Sequence, residues 1–235
     1  MKAIKAPVYI IVVAAGTGSR FGADLPKQFC MLDNEPVLSH TIKRLTKAVP
    51  GAQIITVVSV AMKDYWINEA TKHVTPTGII VEGGATRWES VRNALNAISE
   101  TDADALVLVH DGARPLVDVL TVSRVLDAIE PGCSVVPVNQ VTDSLRQVID
   151  ASGNSIPVSR SDFRAVVTPQ GFMLNNLRKA YELPYSPEFT DDASVMAAAG
   201  YNKTVLVNSF PSNIKITNPG DIALASWYLR HEESK

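Results

Sequence analysis

The residues able to do chemistry gather in a few short stretches. The first is Ala14-Ala15-Gly16-Thr17-Gly18-Ser19-Arg20-Phe21-Gly22, with Lys27 following in Leu25-Pro26-Lys27-Gln28-Phe29. A glycine-rich turn lets backbone N–H groups come close to a phosphate, and Arg20 and Lys27 add two positive charges beside those amides. That combination suits a triphosphate, whose charge exceeds what amides alone neutralise. The GxGxxG dinucleotide fingerprint fails because Phe21 takes the third glycine position, and no GxxxxGK[ST] occurs. A glycine-rich surface turn with solvated basic residues is the plain alternative.

A second stretch is Val109-His110-Asp111-Gly112-Ala113-Arg114-Pro115. Asp111 is a candidate metal ligand, since Mg²⁺ takes one or two protein carboxylates together with phosphate oxygens. The planar fork of Arg114 suits a second anion. A turn cap for Asp111 and a surface ion pair for Arg114 are the ordinary alternatives. His110 reads as a structural hydrogen-bonding residue, because no nucleophile accompanies it. In Gly83-Gly84-Ala85-Thr86-Arg87-Trp88-Glu89-Ser90, bare glycine backbone could read a base edge with Ser90 adding a hydroxyl. An ordinary turn there would leave Ser90 merely exposed. In Ser212-Asn213-Ile214-Lys215-Ile216-Thr217, alternation sets Lys215 opposite Ile214 and Ile216, as in an edge strand with its lysine facing water.

These stretches follow apolar runs that must position them. Strand patterns cover residues 8–13, 54–60, 78–81, 105–109, 134–138 and 204–207, and helical spacing covers 36–49, 62–73, 87–98, 119–129, 174–183 and 193–199. Asn218-Pro219-Gly220-Asp221 opens a last helix reaching about Leu229. Continuous apolar strands alternating with amphipathic helices predict an α/β fold, a doubly wound, mostly parallel sheet covered on both faces, with ligands beyond the carboxyl ends of the strands. Between 143 and 160 the pattern breaks. Two short β-like runs, 145–149 and 155–158, flank the turn signal Asp150-Ala151-Ser152-Gly153-Asn154, which predicts a β-hairpin arm standing off the sheet. One domain over residues 1–235, with an arm at 139–164, accounts for the length.

Composition narrows the function classes. With 46% apolar and 20% charged residues among 235, the chain can build a core without staples. Twenty-two basic against 24 acidic residues give a formal charge of −2, so no global field holds nucleic acid or an anionic membrane. Cys30 and Cys133 have no metal-site spacing, which fits a reducing compartment. Lys2 and Lys5 precede the apolar run 8–15, a faint echo of a signal peptide, but the run is too short and no stretch of 18 apolar residues exists. The expectation is a soluble, cytoplasmic protein.

Taken together, these motifs resemble the 2-C-methyl-D-erythritol 4-phosphate cytidylyltransferases of the non-mevalonate isoprenoid pathway. The likeness runs nearly end to end through the stretches above, and through Thr168-Pro169-Gln170 and Thr190-Asp191. It implies a nucleotidyltransferase that moves CMP from CTP to methylerythritol phosphate with Mg²⁺, and a homodimer whose interlocking arms complete each other's sites. Carried over residue by residue, it puts the triphosphate on Gly16, Gly18, Arg20 and Lys27, cytosine near Ala14, Gly83 and Ser90, and Ala15 among the CTP-binding residues. Asp111 would serve Mg²⁺ or the substrate hydroxyls, Arg114 and Thr190 would hold methylerythritol phosphate, and Lys215 would reach the α-phosphate. From the partner, Arg160 would grip the substrate phosphate, with Ser144 standing where the family usually has threonine. Asn139-Gln140-Val141 looks like a short insertion ahead of the arm. A ribitol 5-phosphate cytidylyltransferase is the nearest rival. A non-catalytic nucleotide-binding protein is a more distant one, expected to have lost Lys27, Lys215 and Asp111.

Overall fold

The strand β1, Val8–Ala14, shows why the chain makes a two-faced sheet. Its sequence VYIIVVA is almost wholly β-branched or aromatic, and side chains of alternate parity enter two different cores. Val8, Ile10, Val12 and Ala14 pack with Leu38, Ile42, Val122 and Trp66 on one face. Tyr9 and Ile11 pack with Trp88, Val91, Leu95 and Phe172 on the other. A strand buried on both sides needs helices over both, as the continuous apolar runs predict.

The computed structural model describes residues 6–16, 25–73, 78–102 and 104–232. After β1 come two minimal strands, β2 (Met31–Leu32) and β3 (Glu35–Pro36), then helix α1 (Val37–Ala48), β4 (Gln53–Val58), α2 (Lys63–His73), β5 (Ile79–Glu82), α3 (Arg87–Asn96) and β6 (Leu106–Asp111). The chain continues through α4 (Val119–Ala128), β7 (Cys133–Gln140), β8 (Leu145–Val148), β9 (Ser155–Val158), β10 (Arg164–Val166) and β11 (Gln170–Met173). It ends with α5 (Leu174–Ala180), α6 (Asp192–Ala198), β12 (Lys203–Asn208) and α7 (Pro219–Glu232).

Among the described residues, the main sheet runs β10-β7-β11-β6-β1-β4-β5, with β12 also paired to β7. The β6-β1-β4-β5 half is parallel, and so is β7 with β12. Strand β11 lies antiparallel between β6 and β7, and β10 runs antiparallel to β7. These two antiparallel strands are absent from the sequence reading. Gln170 and Gly171 are poor strand formers in a run of four residues, so their pairing is set by the flanking strands rather than by local propensity.

The arm stands apart as a separate two-stranded sheet, β8 with β9, in register from Leu145 opposite Val158 to Val148 opposite Ser155. Its turn is organised by Asp150, whose carboxylate accepts from the backbone N–H groups of Ser152 and Asn154. The stretch that looks like an insertion is not looped out. Asn139 and Gln140 are the last residues of β7 and pair with Ala165 and Arg164. Among the described residues, no helix is long and apolar enough to cross a membrane.

Candidate functional site

Where β1 and β6 end side by side, and the turn after β5 meets helix α3, the structure opens a cleft of about 520 Å³. Gly16, Lys27, Ser90, Asp111 and Lys215 are among the residues that line it. The carboxyl rim of the parallel half of a sheet is where this fold places ligands, because the loops there diverge and leave backbone groups unpaired.

The mouth of the glycine loop is braced from below. The buried Gln28 amide donates to the carbonyls of Ala14 (2.7 Å) and Gly16 (2.8 Å). Across the cleft, helix α3 starts with a capping box. The Glu89 N–H donates to the Thr86 hydroxyl and the Thr86 N–H to the Glu89 carboxylate. Ser90 is buried rather than exposed. Its hydroxyl donates to the Thr86 carbonyl (2.9 Å) and accepts from the Gly84 N–H (3.2 Å), which locks the glycine turn onto the helix. Gly83 is required by close approach: a Cβ there would lie 2.3 Å from the Ala15 Cβ and 2.9 Å from the Ser90 hydroxyl.

Asp111 ends β6 and is the electrostatic centre of the site. Its Oδ2 lies 3.0 Å from the Lys215 ammonium and 3.1 Å from Arg114 Nε, and its Oδ1 lies 3.8 Å from Arg87 Nε. Burial pushes the carboxyl upward, but Lys215, Arg87 and Arg114 outweigh it and hold the group well below the usual carboxylate range. Asp111 is therefore ionised at any physiological pH.

His110, fully buried behind it, has a self-consistent neutral tautomer. Its Nε2 donates to the Arg114 carbonyl, so its Nδ1 accepts from the Thr168 hydroxyl, which in turn accepts the Asp111 N–H. Burial lowers its pKa to about 4. It is a scaffold residue, as the sequence reading expects.

Lys215 arrives on a segment, 213–217, that belongs to no strand, so the edge-strand expectation is corrected. The segment is held instead by point contacts. The Ile216 N–H donates to the Ala113 carbonyl, Arg114 Nη1 to the Asn213 carbonyl, and the Asn213 amide to the Thr168 carbonyl. Asp221, in the first turn of α7, accepts from the N–H groups of Thr217 and Asn218. Arg114 is thus an internal strut between Asp111 and this segment rather than a surface ion pair.

This surrounding is a poor cage for a protein-held metal. Asp111 is a single carboxylate already facing three cations, and no group of three His, Cys, Asp or Glu side chains among the described residues could hold an ion. A divalent cation placed directly on Asp111 would add a fourth positive centre to that carboxylate.

Comparison with known proteins decides the family. The sequence model of the IspD family, 2-C-methyl-D-erythritol 4-phosphate cytidylyltransferase, matches residues 8–231. The chain belongs to the 2-C-methyl-D-erythritol 4-phosphate cytidylyltransferase family. It is similar to the proteins of that name from Bacteroides thetaiotaomicron, 38% identical over 94% of this chain and 98% of the relative, and from Porphyromonas gingivalis, 39% identical over 94% and 97%. The crystal structure of the Thermus thermophilus cytidylyltransferase superposes with a TM-score of 0.72 at 32% identity, covering 97% of this chain and 100% of that one.

Within this cytidylyltransferase fold, Ala14, Ala15, Gly16, Lys27, Ser90, Asp111 and Lys215 come together on one cleft. Gly83 and Arg114 are not on its lining. Gly83 packs against Ala15 and Ser90, and Arg114 packs against Asp111. Thr190 is exposed just ahead of α6, and Ser144 and Arg160 are exposed on and beside the arm; none of the three lines the cleft. Arg160 donates to the Thr142 carbonyl across the arm's base. Arg20 and Gly18 lie outside the described residues. Sequence reasoning gave no role to Gln28, Thr168 or Arg87, because each acts through partners distant in the chain.

Proposed function

We propose that this chain transfers CMP from CTP to 2-C-methyl-D-erythritol 4-phosphate, releasing pyrophosphate. The observation that carries the reading is the convergence of Lys27 and Lys215, from opposite ends of the chain, on the cleft bounded by the Ala14–Gly16 turn and the Ser90-braced glycines. The substrate phosphate oxygen attacks the α-phosphorus of CTP in line, the P–O bond to the β-phosphate breaks, and pyrophosphate departs with the electron pair. The nucleophile is already an anion, so no general base is needed, in keeping with a neutral, sequestered His110.

The obstacle is charge. At ~4 Å and an effective dielectric of about 20, two unit charges repel by roughly 4 kcal/mol, and each reactant carries more than one. Lys27, Lys215 and Arg20 would offset that repulsion and the charge developing on the transferring group. Asp111 holds Lys215 in place before CTP arrives and would accept from the substrate hydroxyls. Mg²⁺ would be held by the triphosphate oxygens, where it supplies charge neutralisation. The Gly83–Ser90 turn would read the cytosine edge, with Gly18 adding an amide to the phosphate loop.

The remaining half of the site would come from a second copy of the chain. In a homodimer, the arm at 139–164 would carry Ser144 and Arg160 to the neighbour's cleft, where Arg160, with Thr190, would hold the alcohol phosphate, while Arg114 would act from behind by bracing Asp111. This enzyme would work in the cytoplasm. Pyrophosphate release, measured with CTP alone, with methylerythritol phosphate and with ribitol 5-phosphate, tests the activity. Release dependent on methylerythritol phosphate is expected. Dependence on ribitol 5-phosphate instead, or no release with either, overturns it.

A further inference from the structure

We propose that Arg87 is a further positioning residue of this site, clamped by a buried Asp192–Tyr181 pair so that it helps fix the orientation of Asp111 at the carboxylate oxygen that Lys215 does not hold. Arg87 opens helix α3 and lines the cleft, and both of its terminal nitrogens are engaged by one carboxylate. Nη1 donates to Asp192 Oδ1 at 3.1 Å and Nη2 to Asp192 Oδ2 at 2.7 Å, a two-point planar pair. Asp192 is fully buried, and the Tyr181 hydroxyl donates to its Oδ1 at 2.6 Å. The Tyr181 ring is in turn stacked on Trp88, the residue after Arg87, at 5.7 Å between centroids and 16° between planes. The clamp is thus anchored in the core on both sides.

Both Nη atoms are engaged by Asp192, and Nε lies 3.8 Å from Asp111 Oδ1, an ion-pair distance longer than a hydrogen bond. The other oxygen, Oδ2, is shared by Lys215 and Arg114. Asp111 thereby has a cation beside each oxygen, and turning its carboxylate would disturb one set of these contacts. Without Arg87, Oδ1 would lose its charged neighbour while Oδ2 kept Lys215 and Arg114, so the carboxylate could tilt about its broad terminal torsion and shift any hydroxyl bound at Oδ1.

An arginine that merely bound a phosphate would be better served by free Nη groups. Burying a carboxylate solely to hold an arginine is costly unless the direction of that arginine matters. The same clamp ties the start of α6, and hence neighbouring Thr190, to the rim. The inference rests on the proposed role of Asp111 toward the alcohol phosphate.

The test compares Arg87→Lys, Asp192→Asn and Tyr181→Phe with the wild type, measuring kcat, the KM for each substrate and Tm. Arg87→Lys keeps the charge but loses the two-point geometry. It should lower kcat/KM for methylerythritol phosphate by about 10- to 100-fold while leaving the KM for CTP within about twofold. Tyr181→Phe keeps the ion pair and folds even if Asp192→Asn does not; it should show the same signature at about 3- to 10-fold. Wild-type kinetics in Arg87→Lys, a loss expressed in the KM for CTP, or a lowered Tm with unchanged kinetics would each overturn the clamp. Calorimetric binding of methylerythritol phosphate and of CTP to the same proteins separates this from the activity itself. Selective weakening for the alcohol phosphate supports the clamp even if turnover with that substrate is absent, and equal binding by all variants refutes it.

Discussion

At the rim of the sheet, Ala14, Ser90, His110 and Asp111 are all buried, and the polar atoms among them are tied to named partners. In the arm, by contrast, Val148 is 66% exposed and Ile156 46%, and among the described residues the hairpin forms its own two-stranded sheet with no third strand. Two strands alone are marginally stable in water. The rim is therefore a preorganised half-site whose geometry the core enforces. The arm is an element with exposed apolar surface whose cations Arg146 and Arg160 donate to Ser155 and Thr142 of the arm itself rather than to the core. A phosphate-transfer site built this way would have its nucleotide half ready in one subunit and its acceptor half dependent on another.

Removing a rim cation gives the largest expected effect. Lys27→Ala or Lys215→Ala should lower turnover by about 10²- to 10³-fold or more, with Tm changed by no more than a few degrees, because both ammonium groups sit at the solvent-facing cleft. Steady-state kinetics alongside thermal melts check this. Wild-type turnover in either variant would remove that lysine from the mechanism.

The arm answers to a different measurement. Arg160→Ala should raise the KM for methylerythritol phosphate by about tenfold or more and leave the KM for CTP nearly unchanged. Mixing Lys27→Ala and Arg160→Ala proteins under subunit exchange, at a methylerythritol phosphate concentration well below the raised KM, should restore part of the activity, since mixed dimers carry one cleft with both residues intact. No recovery despite proven exchange would place both halves of the site in one chain and erase the contrast.

The parallel half of the fold was readable because each strand carries its own apolar run and each helix its own period. Residues 8–13 and 119–129, for example, are recovered as Val8–Ala14 and Val119–Ala128. The hairpin was readable from one dense turn signal, and the turn is indeed centred on Asp150. Strand β11 was not, since Gln170-Gly171-Phe172-Met173 has no local signature and is recruited by β6. The same division holds at the site. Lys27, Asp111 and Lys215 stand in recognisable motifs. Arg87's dependence on Asp192, 105 positions away, is set by tertiary packing and leaves no trace in local spacing.

Two glycines sharpen the contrast further. Gly83→Ala would force a Cβ to within 2.3 Å of the Ala15 Cβ, so the rim must shift. Overpacking of this kind costs about 1–3 kcal/mol, and here it should also raise the KM for CTP. Gly153 in the arm turn has φ +89° with nothing within 4 Å of a Cβ, so Gly153→Ala strains only the turn, by about 1 kcal/mol. Its effect should be confined to the arm, leaving CTP binding unchanged by calorimetry. If both variants altered CTP affinity alike, the arm would be mechanically coupled to the rim.

A separate effect concerns acid stability rather than activity, and it isolates the buried scaffold. His110 has its pKa lowered by burial from 6.5 to about 4 in the folded chain. Between those values the unfolded chain binds a proton that the folded chain does not, so stability rises with pH across this window. The contribution is complete above pH 6.5 and is lost as pH falls toward 4, by about 3 kcal/mol in all. Asp111, held below the usual carboxylate range, loses its contribution only in more acidic solution, so the two windows are separable. Urea unfolding of the wild type at pH 7, 6, 5 and 4.5 should show this decline. His110→Gln should start less stable at pH 7 but lose less on acidification, whereas Arg160→Ala, on the exposed arm, should follow the wild-type slope. A His110→Gln slope equal to that of the wild type would mean that the rim is solvated like the arm, and the distinction between a preformed half-site and a dependent one would fail.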